Sequence, residues 1–164
     1  MSVSQVMEAH FGSHLLETSN FRDGLTCVVA PEDWHEVLEF YKDAPELAFD
    51  MLDALLGDHL LERVETPPQV AVHLVSHTHG HWLRSKTAPP KGRTLPSVTD
   101  LWPSAKFDER EAWEMYGIYF TKHPGLRRLL TPEDFQGHPM RKNFPLEGNS
   151  GRPNPHEPQG QDLT

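Results

Sequence analysis

The sequence is poor in cysteine: its 164 residues hold one, Cys27. A single thiol excludes an intrachain disulfide framework, and it excludes an all-cysteine iron–sulfur site, which needs several thiolates. Long apolar runs are missing as well. The longest, around Cys27-Val28-Val29-Ala30, is strand-sized and far short of the roughly 20 residues a membrane span requires. Phosphate-cradling loops are absent: neither G-x-x-x-x-G-K-[ST] nor G-x-G-x-x-G occurs, so the chain shows no means of holding a nucleotide. No G-x-S-x-G elbow supports a serine hydrolase. Positive charge is in deficit. Fifteen Lys and Arg against 24 Asp and Glu give a net charge of -9, the wrong sign for a free-standing nucleic-acid binder. The first residues, Met1-Ser2-Val3-Ser4-Gln5, carry neither a basic region nor an Arg-rich amphipathic pattern, so they do not read as a signal or transit peptide. The expected compartment is a reducing cytoplasm, with membrane contact only through other proteins.

Proline, in contrast, is plentiful. Fifteen prolines, 37% apolar residues and a mean hydropathy of -0.58 predict a modest core whose stability leans on partner surfaces. Charge divides the chain unevenly. Residues 1–66 hold three basic and fourteen acidic side chains, residues 67–106 hold five basic and one acidic, and residues 107–146 hold six of each. Cationic contacts are therefore expected over residues 67–146.

Periodicity sets the elements. Val3 to Phe11 suits a short helix, and Leu25 to Ala30 a strand. Trp34, Val37, Leu38 and Tyr41 recur at helical spacing, which predicts an amphipathic helix over 32–43, begun after Pro31 and ended at Ala44-Pro45. Residues 47–56 fit helix or strand equally. Val70 to Val75 alternates as a strand, and Gly80 can turn it into a second, His81 to Thr87. Asp108 followed by Glu111 fits a capping box, and Gly117 is placed to stop the helix that follows. A short helical turn is expected at Thr131-Pro132-Glu133-Asp134. After Pro145 the chain is Gly, Pro, Asn and Gln, too polar to fold alone. Together these predict an α+β fold, a small mixed or antiparallel sheet with flanking helices. The α+β domain is expected over 1–106, a helix and interface segment over 107–146, and an extended tail over 147–164.

Two clusters invite chemistry. His73, His77, His79 and His81 sit two to four residues apart; on a strand, alternate imidazoles share a face and could share a metal. The run His77-Thr78-His79-Gly80-His81 is close to the HxHxDH pattern of zinc hydrolases but lacks its Asp, and Gly80 in a turn would break the register. A polar hairpin tip is the plainer reading, with a stand-alone zinc hydrolase as the rival. Cys27, in an apolar strand without an adjacent base, reads as a buried small hydrophobe.

The second cluster is the segment 107–146, where charged and aromatic residues alternate densely and two His-Pro pairs occur. The plain reading is a helix with surface ion pairs, each worth about 0–1 kcal/mol. The sharper reading is a docking surface, since Arg and aromatic side chains anchor protein interfaces. Its motifs run Glu109-Arg110-Glu111, Glu114, Tyr116-Gly117-Ile118, Phe120, His123-Pro124, Leu126-Arg127-Arg128-Leu129-Leu130, then Gly137-His138-Pro139-Met140-Arg141-Lys142 and Phe144-Pro145. This pattern, with the approach Ser97-Val98-Thr99-Asp100-Leu101-Trp102, resembles the 30-kDa (C) subunit family of respiratory complex I, the proton-pumping NADH:quinone oxidoreductase. Asn143 stands where that family usually has Asp, and the tail after Pro145 is shorter than in many relatives.

The resemblance implies a non-catalytic scaffold subunit of the peripheral arm, on the cytoplasmic side of a bacterial membrane. It implies that this chain binds no cofactor or metal, while FMN, iron–sulfur clusters and quinone belong to partner subunits. The implied partners are the 49-kDa (D) subunit and cluster-bearing neighbours of the B and I type. Interface residues on this reading are Arg110, Glu111, His123, Arg127, Arg128, His138, Arg141 and Lys142. Glu109, Trp113 and Tyr116 serve the packing of the domain itself. The homologous subunit of a membrane-bound hydrogenase, or of a dehydrogenase with another donor, fits the same motifs.

Overall fold

The computed structural model describes residues 3–12, 15–21, 24–60, 66–89 and 94–146. The expected tail, 147–164, lies outside these. The chain order is helix α1 (Val3–Phe11), strands β1 (Leu15–Phe21) and β2 (Gly24–Val29), helix α2 (Trp34–Asp43), strands β3 (Met51–Asp58), β4 (Gln69–Ser76), β5 (His81–Thr87) and β6 (Thr94–Pro96), helix α3 (Ala105–Tyr116) and strand β7 (Tyr119–Thr121). The fold is α+β, as the periodicity predicts. Five strands form a mixed sheet in the order β1-β2-β5-β4-β3, with only β2 and β5 parallel, and β6 pairs β7 in a parallel two-stranded ribbon.

Alternation decides which sheet face is covered. Cys27, Val29, Leu52, Leu55, Val70, Val72, Leu74 and Leu83 point into the core. There they meet Val6 and Met7 of α1, and Trp34, Val37, Leu38 and Tyr41 of α2. Leu95, Val98, Trp102, Ala112, Ile118 and Phe120 close the same core from the later part of the chain. Burying side chains of this size contributes about 1.5–3 kcal/mol each, whereas on the opposite sheet face only the small Ala71 is buried among the described apolar residues. Residues 47–56, open to either reading, resolve with Met51 onward as a strand. Its ladder with β4 has a bulge between Leu52 and Ala54.

Helix α3 differs from the expected boundaries. It begins at Ala105, after Pro103 and Ser104, and Ser104 makes no side-chain cap. The capping box at Asp108 and Glu111 is therefore corrected: Asp108 lies inside the helix, and its carboxylate accepts the Leu55 N–H at 3.0 Å. That N–H belongs to β3, the outermost strand, so α3 closes a sheet edge that would otherwise offer unpaired donors. The close approach shows at Gly57, where an added Cβ would lie 2.2 Å from the Tyr116 ring. The expected division between 106 and 107 accordingly falls inside one helix, which packs on the sheet of the first part. Gly117 ends α3 in the left-handed region at φ 71°, as its position predicts.

Candidate functional site

Among the described residues after β7, 122–146, there is no further helix or strand. Thr131 to Asp134, the expected short helical turn, makes a single turn closed by the Phe135 N–H on the Pro132 carbonyl at 3.1 Å. Side chains and amides of 123–141 fasten this segment along α3 as a strap.

The upstream half of the strap is held by three residues of α3. Arg110 is buried, and its guanidinium donates to the carbonyls of Arg127 (2.9 Å) and Arg128 (2.8 Å). Glu114 is also buried, with its carboxylate accepting the backbone N–H groups of Leu129 (2.7 Å), Leu130 (3.0 Å) and Thr131 (2.6 Å). It accepts the Thr131 hydroxyl too. Burial pushes the Glu114 carboxyl up, but the Thr131 hydroxyl and the three amides outweigh it and hold the group down at about 2. At the start of the helix, the Lys106 carbonyl accepts Nε2–H of His123, whose Nδ1 accepts the Gly125 N–H. Arg128 folds back over the strap: it donates to the Phe135 carbonyl at 2.6 Å and to the Thr131 hydroxyl at 2.9 Å. Its guanidinium lies 3.9 Å from Glu114 and over the rings of Trp113 and Phe135.

The downstream half caps the helix. The last carbonyls of an α-helix have no partners within it. Here Glu114 C=O accepts Nδ1–H of His138 at 2.9 Å, Met115 C=O accepts the Met140 N–H at 3.1 Å, and Tyr116 C=O accepts Nε–H of Arg141 at 2.6 Å. Arg141 thus also sets a cation at the negative end of the helix dipole. A Cβ on Gly117 would lie 2.0 Å from Arg141 Nη2 and 2.5 Å from His138 Nε2, so the seat of the strap requires glycine. Lys142 joins through its backbone, whose N–H donates to the buried His59 at 3.1 Å.

The eight interface residues expected from the sequence therefore divide. Arg110, His123, Arg128, His138 and Arg141 spend donors on carbonyls of their own chain, while Glu111, Arg127 and Lys142 are exposed. Leu129, Leu130 and Met140 beside them are 39%, 62% and 49% exposed. Glu114, the hub, belongs to the motif but not to those eight, because helical spacing alone does not separate a buried acid from a solvated one. Glu109 is the other buried acid. It accepts the Val98 N–H at 2.7 Å and the Ser97 hydroxyl at 2.7 Å, and burial pushes its carboxyl up to about 7.

Of the four histidines only His79 and His81 come together, their rings stacked at 5.6 Å between centroids. His77 bonds Asp50 at 3.0 Å, His79 reaches the Pro45 carbonyl, and His73 accepts from Arg84. His77 to Gly80 form the turn between β4 and β5, with Gly80 at φ 64°, so His77 and His79 lie on neither strand. Among the described residues no group of three His, Cys, Asp or Glu side chains could hold a metal, which removes the basis of the zinc-hydrolase reading. Cys27 is fully buried, and desolvation raises its thiol to about 11; it fits neither nucleophile nor thiolate ligand.

The α+β fold itself recurs in solved structures of respiratory proteins. The trypsin-resistant fragment (1-134) of Nqo5 has the same fold, with a TM-score of 0.64 at 29% identity over 77% of this chain and 100% of that one. A chain in the structure of the membrane-bound sulfane sulfur reductase, an archaeal respiratory membrane complex, shares the fold alone: TM-score 0.66, 20% identity, 80% and 75% covered. Residues 27–150 match the family described as respiratory-chain NADH dehydrogenase, 30 Kd subunit. The C subunit of NADH-quinone oxidoreductase from Roseiflexus castenholzii is 41% identical over 141 residues, 85% of this chain and 80% of that one. The C 2 subunit of NADH-quinone oxidoreductase from Rhizobium meliloti is 41% identical over 134 residues, 80% and 72%. The chain belongs to the 30-kDa (C) subunit family of respiratory complex I. No helix among the described residues is long and apolar enough to cross a membrane.

Proposed function

We propose that this chain is a non-catalytic scaffold subunit in the peripheral arm of a proton-translocating NADH:quinone oxidoreductase, held on the cytoplasmic side of a bacterial membrane by its partners. It docks next to the 49-kDa (D) subunit and the cluster-bearing B- and I-type subunits. Those partners hold FMN, iron–sulfur clusters and quinone, and this chain holds none. The relatives named above are NADH-quinone oxidoreductase subunits, which favours that complex over a hydrogenase or another donor.

The observation that carries this reading is the preorganised strap. Binding orders side chains and loops at a cost of about 0.5–1.5 kcal/mol for each immobilised group. A strap already fixed by Glu114, Arg110 and Arg141 avoids most of that cost. It presents Arg127, Leu130 and Met140 outward, Arg and Met being enriched at interfaces, with Lys142 exposed beside them. On this reading the buried motif residues shape the surface and the exposed ones touch the partner. The test is cross-linking of the assembled complex with identification of the peptides joined to Lys142. Links to the 49-kDa subunit or the cluster-bearing subunits are expected; a strap linked to nothing outside its own chain overturns the reading.

A further inference from the structure

The strap occupies one side of the molecule, and the uncovered face of the five-stranded sheet is another. The ladder registers arrange that face in rows. Met51, Val75 and Trp82 stand side by side across β3, β4 and β5. The next row is Ala54, His73, Arg84 and Thr26, and the one after it Leu56, Ala71, Lys86 and Val28. Trp82 is 59% exposed, Leu56 48% and Met51 40%. Trp82, His73, Arg84 and Gly24 line a cleft of about 160 Å³, and no carboxylate is among its described lining residues. Arg84 Nε–H donates to His73 Nε2 at 3.0 Å. That fixes the orientation of the guanidinium, burial and then the Arg84 charge hold the imidazole below its ordinary pKa, and no described residue accepts from the two Nη groups.

We infer that this sheet face is a second docking surface, whose occupant is a protein segment that sets an Asp or Glu carboxylate on Arg84 between apolar side chains packed on Trp82. A guanidinium fork matches a carboxylate bidentately, and an oriented Arg beside an exposed Trp on a rigid sheet has the make-up of an interface hot spot. Charge complementarity selects the occupant. In a chain of net charge -9, the described lining of this cleft holds a cation and no acid. The remaining charges of the face among the described residues are Lys86, with Asp58 and Glu17 at the row ends and Asp53 at the bulge beside His73. Two cations so flanked are too few to hold an anionic membrane, where each contributes only about 1 kcal/mol. The inference rests on the proposed role only in requiring a multisubunit assembly; it does not use the strap.

The experiment is hydroxyl-radical footprinting of the full chain, free and within the purified complex, reading Trp82 and Met140 in the same sample. The expected result is roughly tenfold slower oxidation of Trp82 on assembly, as for a desolvated interface centre. Protection of Met140 with Trp82 unchanged leaves the proposed role standing and overturns this inference. Neither residue protected overturns both. Slow oxidation of Trp82 in the free chain as well means that the chain or a second copy of it covers the face, and also overturns the inference. Carbodiimide coupling of a complex carrying Arg84→Lys then reads the chemistry. A link from position 84 to an Asp or Glu of another subunit supports the inference, and coupling within the chain only, or none, contradicts it.

Discussion

The carboxylate of Glu114 and the backbone N–H of Thr131 are 17 positions apart in sequence and 2.6 Å apart in space. One buried acid thereby organises the turn of chain that follows β7, and the strap inherits its shape from α3. Glu114→Ala leaves three amides without their acceptor, and unmade buried hydrogen bonds cost about 1–3 kcal/mol. Hydrogen exchange at Leu129, Leu130 and Thr131 is expected to accelerate by one to two orders of magnitude, about 1.4 kcal/mol for each tenfold, while the amides of β4 and β5 stay protected.

The same carboxyl predicts acid sensitivity. Its folded-state pKa, about 2, lies below the ordinary 4.5, so its stabilisation is complete above pH 4.5 and is lost as pH falls toward 2. The amount is on the order of 3 kcal/mol, since each pKa unit corresponds to about 1.4 kcal/mol. Urea unfolding of the parent and of Glu114→Gln at pH 6 and pH 3 isolates it: the parent is expected to lose about 2 kcal/mol more than the variant on going to pH 3, the part of the loss complete at that pH.

Glu109 behaves with the opposite sign. Its carboxyl is raised to about 7 from 4.5, so between these values the folded state binds more protons than the unfolded one. Stability contributed by this site therefore falls as pH rises from 4.5 to 7 and is level above that. Glu109→Gln is expected to flatten this slope while keeping an acceptor for the Val98 N–H. Chemical denaturation of both forms at pH 5 and pH 8 checks the sign.

Gly117→Ala is expected to lift the downstream strap. The left-handed backbone alone disfavours a side chain by about 1 kcal/mol, and the new methyl group would collide with Arg141 and His138. Limited proteolysis is expected to cut within 137–142 in the variant and not in the parent, with the rest of the chain intact.

Much of this architecture is legible in the sequence because its signals are periodic. The helix over 32–43 and the strands from Val70 and His81 carry apolar residues at their own period, and the structure places α2, β4 and β5 there. Strand β1 carries no such signal: after Leu15 and Leu16 it reads Glu, Thr, Ser and Asn, all exposed on an outer strand. Strand β3 is ambiguous because its bulge at Asp53 interrupts the alternation and its outer side chains, Met51 and Leu56, are apolar. Asp108 and Glu111 have the spacing of a capping box, but a tertiary partner, the Leu55 N–H, claims Asp108. At the strap, the motif shows which residues matter and not what they touch. The residue types that anchor interfaces, Arg above all, are also those that satisfy backbone carbonyls, and only the fold separates Arg110 and Arg128 from Arg127.

That separation gives the most direct measurement of the central claim, that a pinned strap presents its exposed residues to partner subunits. Arg127→Glu with Lys142→Glu, compared with Arg128→Glu, is read by thermal unfolding of the full chain and by its recovery in the purified complex. The account predicts that the exposed pair leaves unfolding within about 0.5 kcal/mol of the parent but lowers incorporation at least roughly tenfold, as loss of interface anchors does. Arg128→Glu is predicted to lower both. Normal incorporation of the Arg127 and Lys142 variant, with the chain fully folded, would contradict the account.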